Sequence, residues 1–105
     1  MNKVALGESN FDGQEFAKTL TAKPGVYRMI GPDNAVIYVG KARNLRKRVA
    51  SYFQSRHQLS PKTRSVVSQL KAIEVTVTPT ENEALILENN LIKELKPRYN
   101  VVLRD

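Results

Sequence analysis

Two short runs, GVYRMI (25–30) and AVIYVG (35–40), stand on either side of GPDN (31–34). Both runs are dense in β-branched and aromatic residues, and the four residues between them are turn formers. This is the pattern of an antiparallel hairpin, with Pro32 and Asp33 suited to the two central positions of a type I turn in a four-residue loop. If Ile30 faces Ala35, then Met29 faces Val36 and Tyr27 faces Tyr38, which sets two phenols side by side on one face of the ribbon. A lone hairpin is marginal in water. The rest of the chain must therefore supply another strand and helices to cover the hairpin.

Those elements can be read in order. FDGQEFAKTL has Phe11, Phe16 and Leu20 at roughly helical spacing, with Pro24 and Gly25 beyond as terminators. Asn44 is placed to cap a helix through LRKRVASYFQ, whose apolar stripe is Leu45, Val49, Tyr52 and Phe53. RHQLSPK reads as a linker, and Ser60 and Pro61 fit the start of a further helix. EVTVT alternates like a strand. Thr80 and Glu83 have capping-box spacing and open a long helix that Pro97 terminates, with RYNVVL extending beyond. Residues 1–10 read as a loose N-terminal extension. The expectation is one α+β domain over residues 1–105, with a short, mainly antiparallel three-stranded sheet (the hairpin plus one strand) flanked by helices. The VVLRD ending suggests a domain excised from a longer protein.

The chain has 105 residues and is 41% hydrophobic, enough for one core, and no apolar run approaches the roughly 20 residues of a membrane span. The N-terminus lacks the pattern of a signal peptide. The absence of cysteine excludes disulfides and thiolate metal sites, and makes a reducing cytoplasm the default. Seventeen Lys and Arg against ten Asp and Glu leave a net charge of +7. The segment KARNLRKR (41–48) holds five cations and no anion, which favours nucleic acid over a membrane as partner. A charged helix face can also serve solubility alone.

The long helix contains an anomaly. At about 100° per residue, ALILENNLIKEL (84–95) has an apolar arc of Leu87, Leu91, Ala84, Leu95, Ile92 and Leu85. Glu88 falls in the middle of it. A carboxylate there must be ion-paired, bind a metal, or reach water at a rim. One reading is an ion pair with Arg48 or another cation. The other is a ligand for one hard cation, since Mg²⁺ needs only one or two protein carboxylates. No second acidic cluster accompanies it, which disfavours a two-metal centre. The tyrosines also have two readings, as core packing with a polar tip or as phenols beside the basic run. His57, the only histidine, lies in the linker, so histidine-based and zinc chemistry are disfavoured.

GVY (25–27), YVG (38–40), an arginine in the next helix and a glutamate in a later one resemble the GIY-YIG nuclease family, with Val for Ile in each triad. KPGVYRM, VIYVGKARNLRKRVASYF and TENEALILENNLIKELKPRYNVVLRD extend the resemblance to the UvrC-type branch of that family, from about residue 12 onward. The resemblance implies a metal-dependent DNA endonuclease domain that incises on the 3′ side of a lesion in nucleotide-excision repair.

It also implies roles. Tyr38 would be the general base for the attacking water, Tyr27 would orient the site, and Lys41 would lie close to the Tyr38 phenol. Arg48 would steady the scissile phosphate, Tyr52 would be a further site phenol, and Asn100 would close the pocket. Glu88 would hold a single Mg²⁺ or Mn²⁺. Lys41, Arg43, Arg46, Lys47 and Arg48 would contact the DNA. The expected partners are damaged double-stranded DNA and, through parts of a longer protein, other excision-repair subunits (UvrB-type), with the isolated domain monomeric. Two alternatives stand beside this: a non-catalytic basic nucleic-acid-binding module, and a stand-alone GIY-YIG nuclease with another DNA substrate.

Overall fold

A computed structural model describes residues 2–6, 12–54 and 58–102. Strands β1 (Asn2–Leu6), β2 (Gly25–Ile30), β3 (Val36–Ala42) and β4 (Ala72–Val77) form one antiparallel sheet in the order β1-β4-β2-β3. Helices α1 (Gly13–Lys18), α2 (Leu45–Ser51), α3 (Pro61–Ser68), α4 (Glu81–Leu95) and α5 (Arg98–Val102) surround it. The hairpin, the later strand and the flanking helices are those expected. Residues 2–6, expected to be loose, instead pair with β4 and make a four-stranded sheet. RYNVV, which the sequence pattern assigns to no element, is α5. Phe11 and His57 lie outside the described residues.

Helix starts follow local chemistry. The side chains of Asp12, Asn44, Ser60 and Thr80 each accept a backbone N–H three residues on, from Glu15, Lys47, Thr63 and Glu83. Each satisfies a donor that the first helical turn leaves orphaned. Helix α4 stops at Lys96, which is left-handed at φ 46°, followed by Pro97.

β2 is central and covered on both sides. Tyr27 and Met29 join Ile73, Val75, Leu45, Val49, Leu20 and Val66 in the larger core, against α1, α2 and α3. Val26 and Val39 meet Ala84, Leu87, Leu91 and Ile92 of α4 on the opposite face. Leu45 and Val49 are fully buried. Side chains of this kind contribute about 1.5–3 kcal/mol each relative to exposure. They fix which way α2 presents its remaining residues. Leu85, expected in the apolar arc of α4, is 40% exposed. The arc is narrower than the sequence suggests, because the helix rests on only β2 and β3.

The hairpin register differs from the expected one, for two reasons that cancel. Asp33 and Asn34 both adopt left-handed backbone (φ 62° and 59°), so the connection is not a type I turn on Pro32 and Asp33. Short polar side chains tolerate that conformation. The pairing then starts one residue late, at Ile30 with Val36. Next, a bulge at Ile37 moves it by one more, so that Met29 faces Tyr38 and Tyr27 faces Gly40. A slip of one would reverse every side chain, whereas a slip of two restores the face. Tyr27 and Tyr38 are therefore diagonal neighbours on one face rather than directly opposed, with ring centroids 6.3 Å apart.

Candidate active site

The register explains the glycine of YVG. A Cβ at Gly40 would overlap the ring and hydroxyl of Tyr27. With only hydrogen there, the Tyr27 ring lies flat across β3 and its hydroxyl reaches α2. It meets the Tyr52 hydroxyl at 2.6 Å, and the two rings pack edge to face at 5.8 Å. Tyr52 is held there because Val49, one turn back, anchors α2 in the core. Tyr27, Tyr38 and Tyr52 thus form one phenol cluster from β2, β3 and α2.

The chain's own groups favour the protonated form of Tyr27 and of Tyr38. Burial, with help from Tyr52, pushes Tyr27 far above its ordinary value of 10.0. Tyr38 is pushed up to about 12, first by burial and then by its neighbours Tyr52 and Glu88, while Arg48 acts in the opposite sense. Among the chain's own groups, desolvation of Tyr38 outweighs the pull of the Arg48 charge.

β3 is an edge strand, and two side chains cover its outer rim. Asn100, on α5, accepts the Val39 N–H at 2.8 Å and donates to the Val39 carbonyl at 2.9 Å. Both ends of its amide are thereby used on the backbone between Tyr38 and Gly40. The Asn100 side chain thus holds the strand backbone next to Tyr38. α5 is fixed in turn by Tyr99, whose hydroxyl bonds to Ser65 at 2.8 Å and accepts from Gln69 at 2.6 Å. One position further along the rim, the Lys41 backbone N–H faces the carboxylate of Glu88.

Glu88 is half-buried on α4 beside the phenols. Burial raises its carboxyl above the ordinary range, and Lys41 opposes this through its charge and its N–H. Ion pairs among the described residues join Lys18 to Glu15, Arg28 to Glu74 and Arg43 to Glu81, and none includes Glu88. The ion pair with Arg48 considered from sequence is therefore absent. A single carboxylate at a polar rim, with lone pairs beyond the one Lys41 uses, fits one hard oxygen-seeking cation that fills its remaining positions with water and phosphate.

The basic run lines a groove of about 370 Å³ made by Lys41, Arg43, Asn44, Lys47, Arg48 and Ser51. Its cations are not equivalent. Arg43 is drawn to Glu81 of α4, so the absence of anions along the sequence does not carry over to the fold. The Arg46 Nε donates to the Leu20 carbonyl at 2.7 Å and ties α2 to α1. Lys41, Lys47 and Arg48 are exposed. Sequence reasoning passed over Arg28, which is buried against Glu74 and donates to Thr76 at 2.9 Å. Its place in a strand run gave no sign of that role.

The site thus belongs to a small α+β domain, with an edge strand carrying Tyr38, an arginine-bearing helix beside it and one glutamate across the rim. The model of the UvrC-like GIY-YIG domain matches residues 23–101. This chain belongs to that family. It is 59% identical over 100 residues to UvrABC system protein C of Nitrosomonas eutropha, covering 95% of this chain and 16% of that protein. With the corresponding protein of Pseudoalteromonas translucida it shares 60% identity over 97 residues, 92% of this chain. The chain thus spans about 16% of the length of these relatives. It is also similar to the crystal structure of the GIY-YIG N-terminal endonuclease domain of UvrC from Thermotoga maritima bound to its catalytic divalent cation, magnesium. That match has a TM-score of 0.73 and 34% identity, and covers 82% of this chain and 92% of that one.

Proposed function

We propose that this chain is a divalent-cation-dependent DNA endonuclease domain that hydrolyses a phosphodiester on the 3′ side of a lesion in nucleotide-excision repair. The observation that carries the reading is the convergence of the Tyr27–Tyr52 pair, Tyr38, Arg48 and Glu88 on one rim of β3. The kinship with UvrABC system protein C, and the catalytic cation of the Thermotoga domain, support it.

In this reading Glu88 would hold one Mg²⁺ or Mn²⁺. When bound, the ion supplies positive charge that polarises the phosphodiester and stabilises the departing oxygen. Arg48 holds the scissile phosphate with a forked, charge-assisted contact. Tyr38 would orient the attacking water in line and take its proton as the general base, in the phenolate form that a bound cation beside it favours. Before a cation binds, the Tyr38 hydroxyl keeps its proton toward its neighbour Tyr52. Tyr27 holds Tyr52 in turn, and Asn100 holds the strand that carries Tyr38. Lys41 and Lys47 attract the backbone along the α2 groove.

We read residues 1–105 as one domain of a longer protein that meets damaged duplex DNA in the cytoplasm. Its other parts would dock UvrB-type subunits. The chain's 16% share of its relatives supports this. Among the described residues no helix is long and apolar enough to cross a membrane.

The test is plasmid nicking with Mg²⁺ by the wild-type chain and Glu88→Gln. The amide keeps the shape and can still accept the Lys41 N–H. Nicking and divalent-ion binding should both be lost, with the melting temperature little changed. Equal nicking by the two proteins removes the metal role. Salt-dependent binding with no nicking by either leaves a binding module.

A further inference from the structure

The phenol cluster opens onto two concavities, and the function proposed above uses only one. The first is the basic groove along α2. The second is a cavity of about 130 Å³ on the other flank of the phenols, lined by Tyr38, Tyr52, Met29, Val66, Thr63 and Lys62. Met29 and Val66 are buried and form its floor. Tyr38 and Tyr52 are half-buried walls shared with the reaction site, while Lys62 is exposed at its mouth. The Thr63 hydroxyl accepts from Ser60 at 3.0 Å, which leaves its own proton free to donate. Among the described residues Lys62 has no ion-pair partner.

These features match a segment of sugar–phosphate backbone. The apolar floor and aromatic walls suit the face of a deoxyribose. The ammonium and hydroxyl at the mouth suit a phosphate. Successive phosphates of one strand advance by only about 3.4 Å along the helix axis. A cation lining the same cavity as the nucleophile-orienting phenol therefore falls within reach of the phosphate next to the one being cut.

We propose that this cavity is a second DNA subsite, which takes the sugar–phosphate unit flanking the scissile bond, with Lys62 as its positioning cation. The cut strand then runs from the α2 groove, across Tyr38, to Lys62. The subsite rests on the endonuclease reading. It adds a cation that lies outside the 41–48 run and is not legible as part of it. Lys62 acts on the flanking phosphate and not on the reacting atoms.

The experiment compares wild type, Lys62→Ala and Lys62→Arg on end-labelled duplexes that carry one neutral methylphosphonate. In the wild type, the neutral group suppresses nicking at the bonds whose flanking phosphate it replaces. In Lys62→Ala, nicking slows by about tenfold, chiefly through KM, and the suppression at one flanking position disappears, since the lost charge and the lost cation are partners. Lys62→Arg restores both. An unchanged interference pattern in Lys62→Ala overturns the subsite.

A second readout needs no cleavage. In binding to unmodified duplex without divalent ion, the slope of log affinity against log salt falls by about one unit in Lys62→Ala. An unchanged slope overturns the proposal even for a protein that does not cut. Failure of the endonuclease reading shows instead in the Glu88→Gln comparison, so the two failures are separable. Lys62 is exposed, so the melting temperatures of the three proteins should coincide.

Discussion

The hydroxyls of Tyr27 and Tyr52 lie 2.6 Å apart and join the central strand of the sheet to the arginine-bearing helix. Tyr27 is buried and Tyr52 half-buried, so neither hydroxyl is readily replaced by water as a partner for the other. The contact sets the position of α2, and with it Arg48, relative to Tyr38.

Tyr52→Phe should therefore cost more than one hydrogen bond. It strands the buried Tyr27 hydroxyl, a loss of about 1–2 kcal/mol in chemical denaturation. Nicking should fall mainly in kcat, because Tyr38 loses the partner that directs its proton. The double variant Tyr27→Phe/Tyr52→Phe removes the stranded hydroxyl. It should recover stability but not activity. Recovery of both would show that the pair only packs.

Gly40→Ala places a methyl group where the Tyr27 ring lies. The ring must move or the strands must part, at about 1–3 kcal/mol for overpacking of this kind. Combining it with Tyr27→Leu should relieve the clash. The stability losses of the two changes would then fall well short of additive in a double-mutant cycle.

Asn100→Ala leaves the Val39 N–H and carbonyl without partners on the rim of β3. The expected loss is about 2 kcal/mol, less where water enters. Hydrogen exchange at the Val39 amide should accelerate, and nicking should weaken through misplacement of Tyr38. An Asn100→Ala chain with unchanged exchange at Val39 would remove its positioning role.

Alkali provides a further check. Tyr27 titrates far higher in the fold than its ordinary value of 10.0. Above about pH 10 the unfolded chain gives up this proton while the folded chain keeps it, so the native state binds more protons and stability falls as pH rises. The slope is about 1.4 kcal/mol per pH unit for this one group. Tyr38, pushed up to about 12, adds to the decline in the same direction. Denaturation curves at about pH 9 and about pH 11 should show the loss, with a smaller one in Tyr27→Phe.

The fold was legible where local chemistry decides. Asn44, Ser60 and Thr80 cap the helices whose starts they announce, since each satisfies a backbone donor within its own turn. Glu88 was legible because it breaks the apolar arc of α4, and it is half-buried beside Tyr38 and the Lys41 N–H, with no ion pair among the described residues. The basic run announced the α2 groove, but not that Arg43 turns to Glu81 or that Arg46 holds Leu20. Those contacts come from residues distant in sequence.

The remainder was hidden for definite reasons. The hairpin register depended on two left-handed residues and a bulge, neither of which has a strong sequence signature. Their slips cancel, so the face of Tyr38 was read correctly from an incorrect pairing. Residues 2–6 gained their strand character only from β4, which supplies the partner groups. Asn100 was assigned to the site through resemblance. Its action on Val39 passes through main-chain atoms, about which its side-chain type alone says nothing.

The covered rim of β3 also bears on how the domain behaves among copies of itself. An open strand edge is a template for another chain, and pairing there would carry the phenols into a stacked interface. Asn100 occupies both outward groups of Val39, and Glu88 faces the outward N–H of Lys41. The residues that hold this strand in the candidate site thus also guard it against aggregation. Variants that inactivate the site from the rim side should precipitate sooner than those that inactivate it from α2.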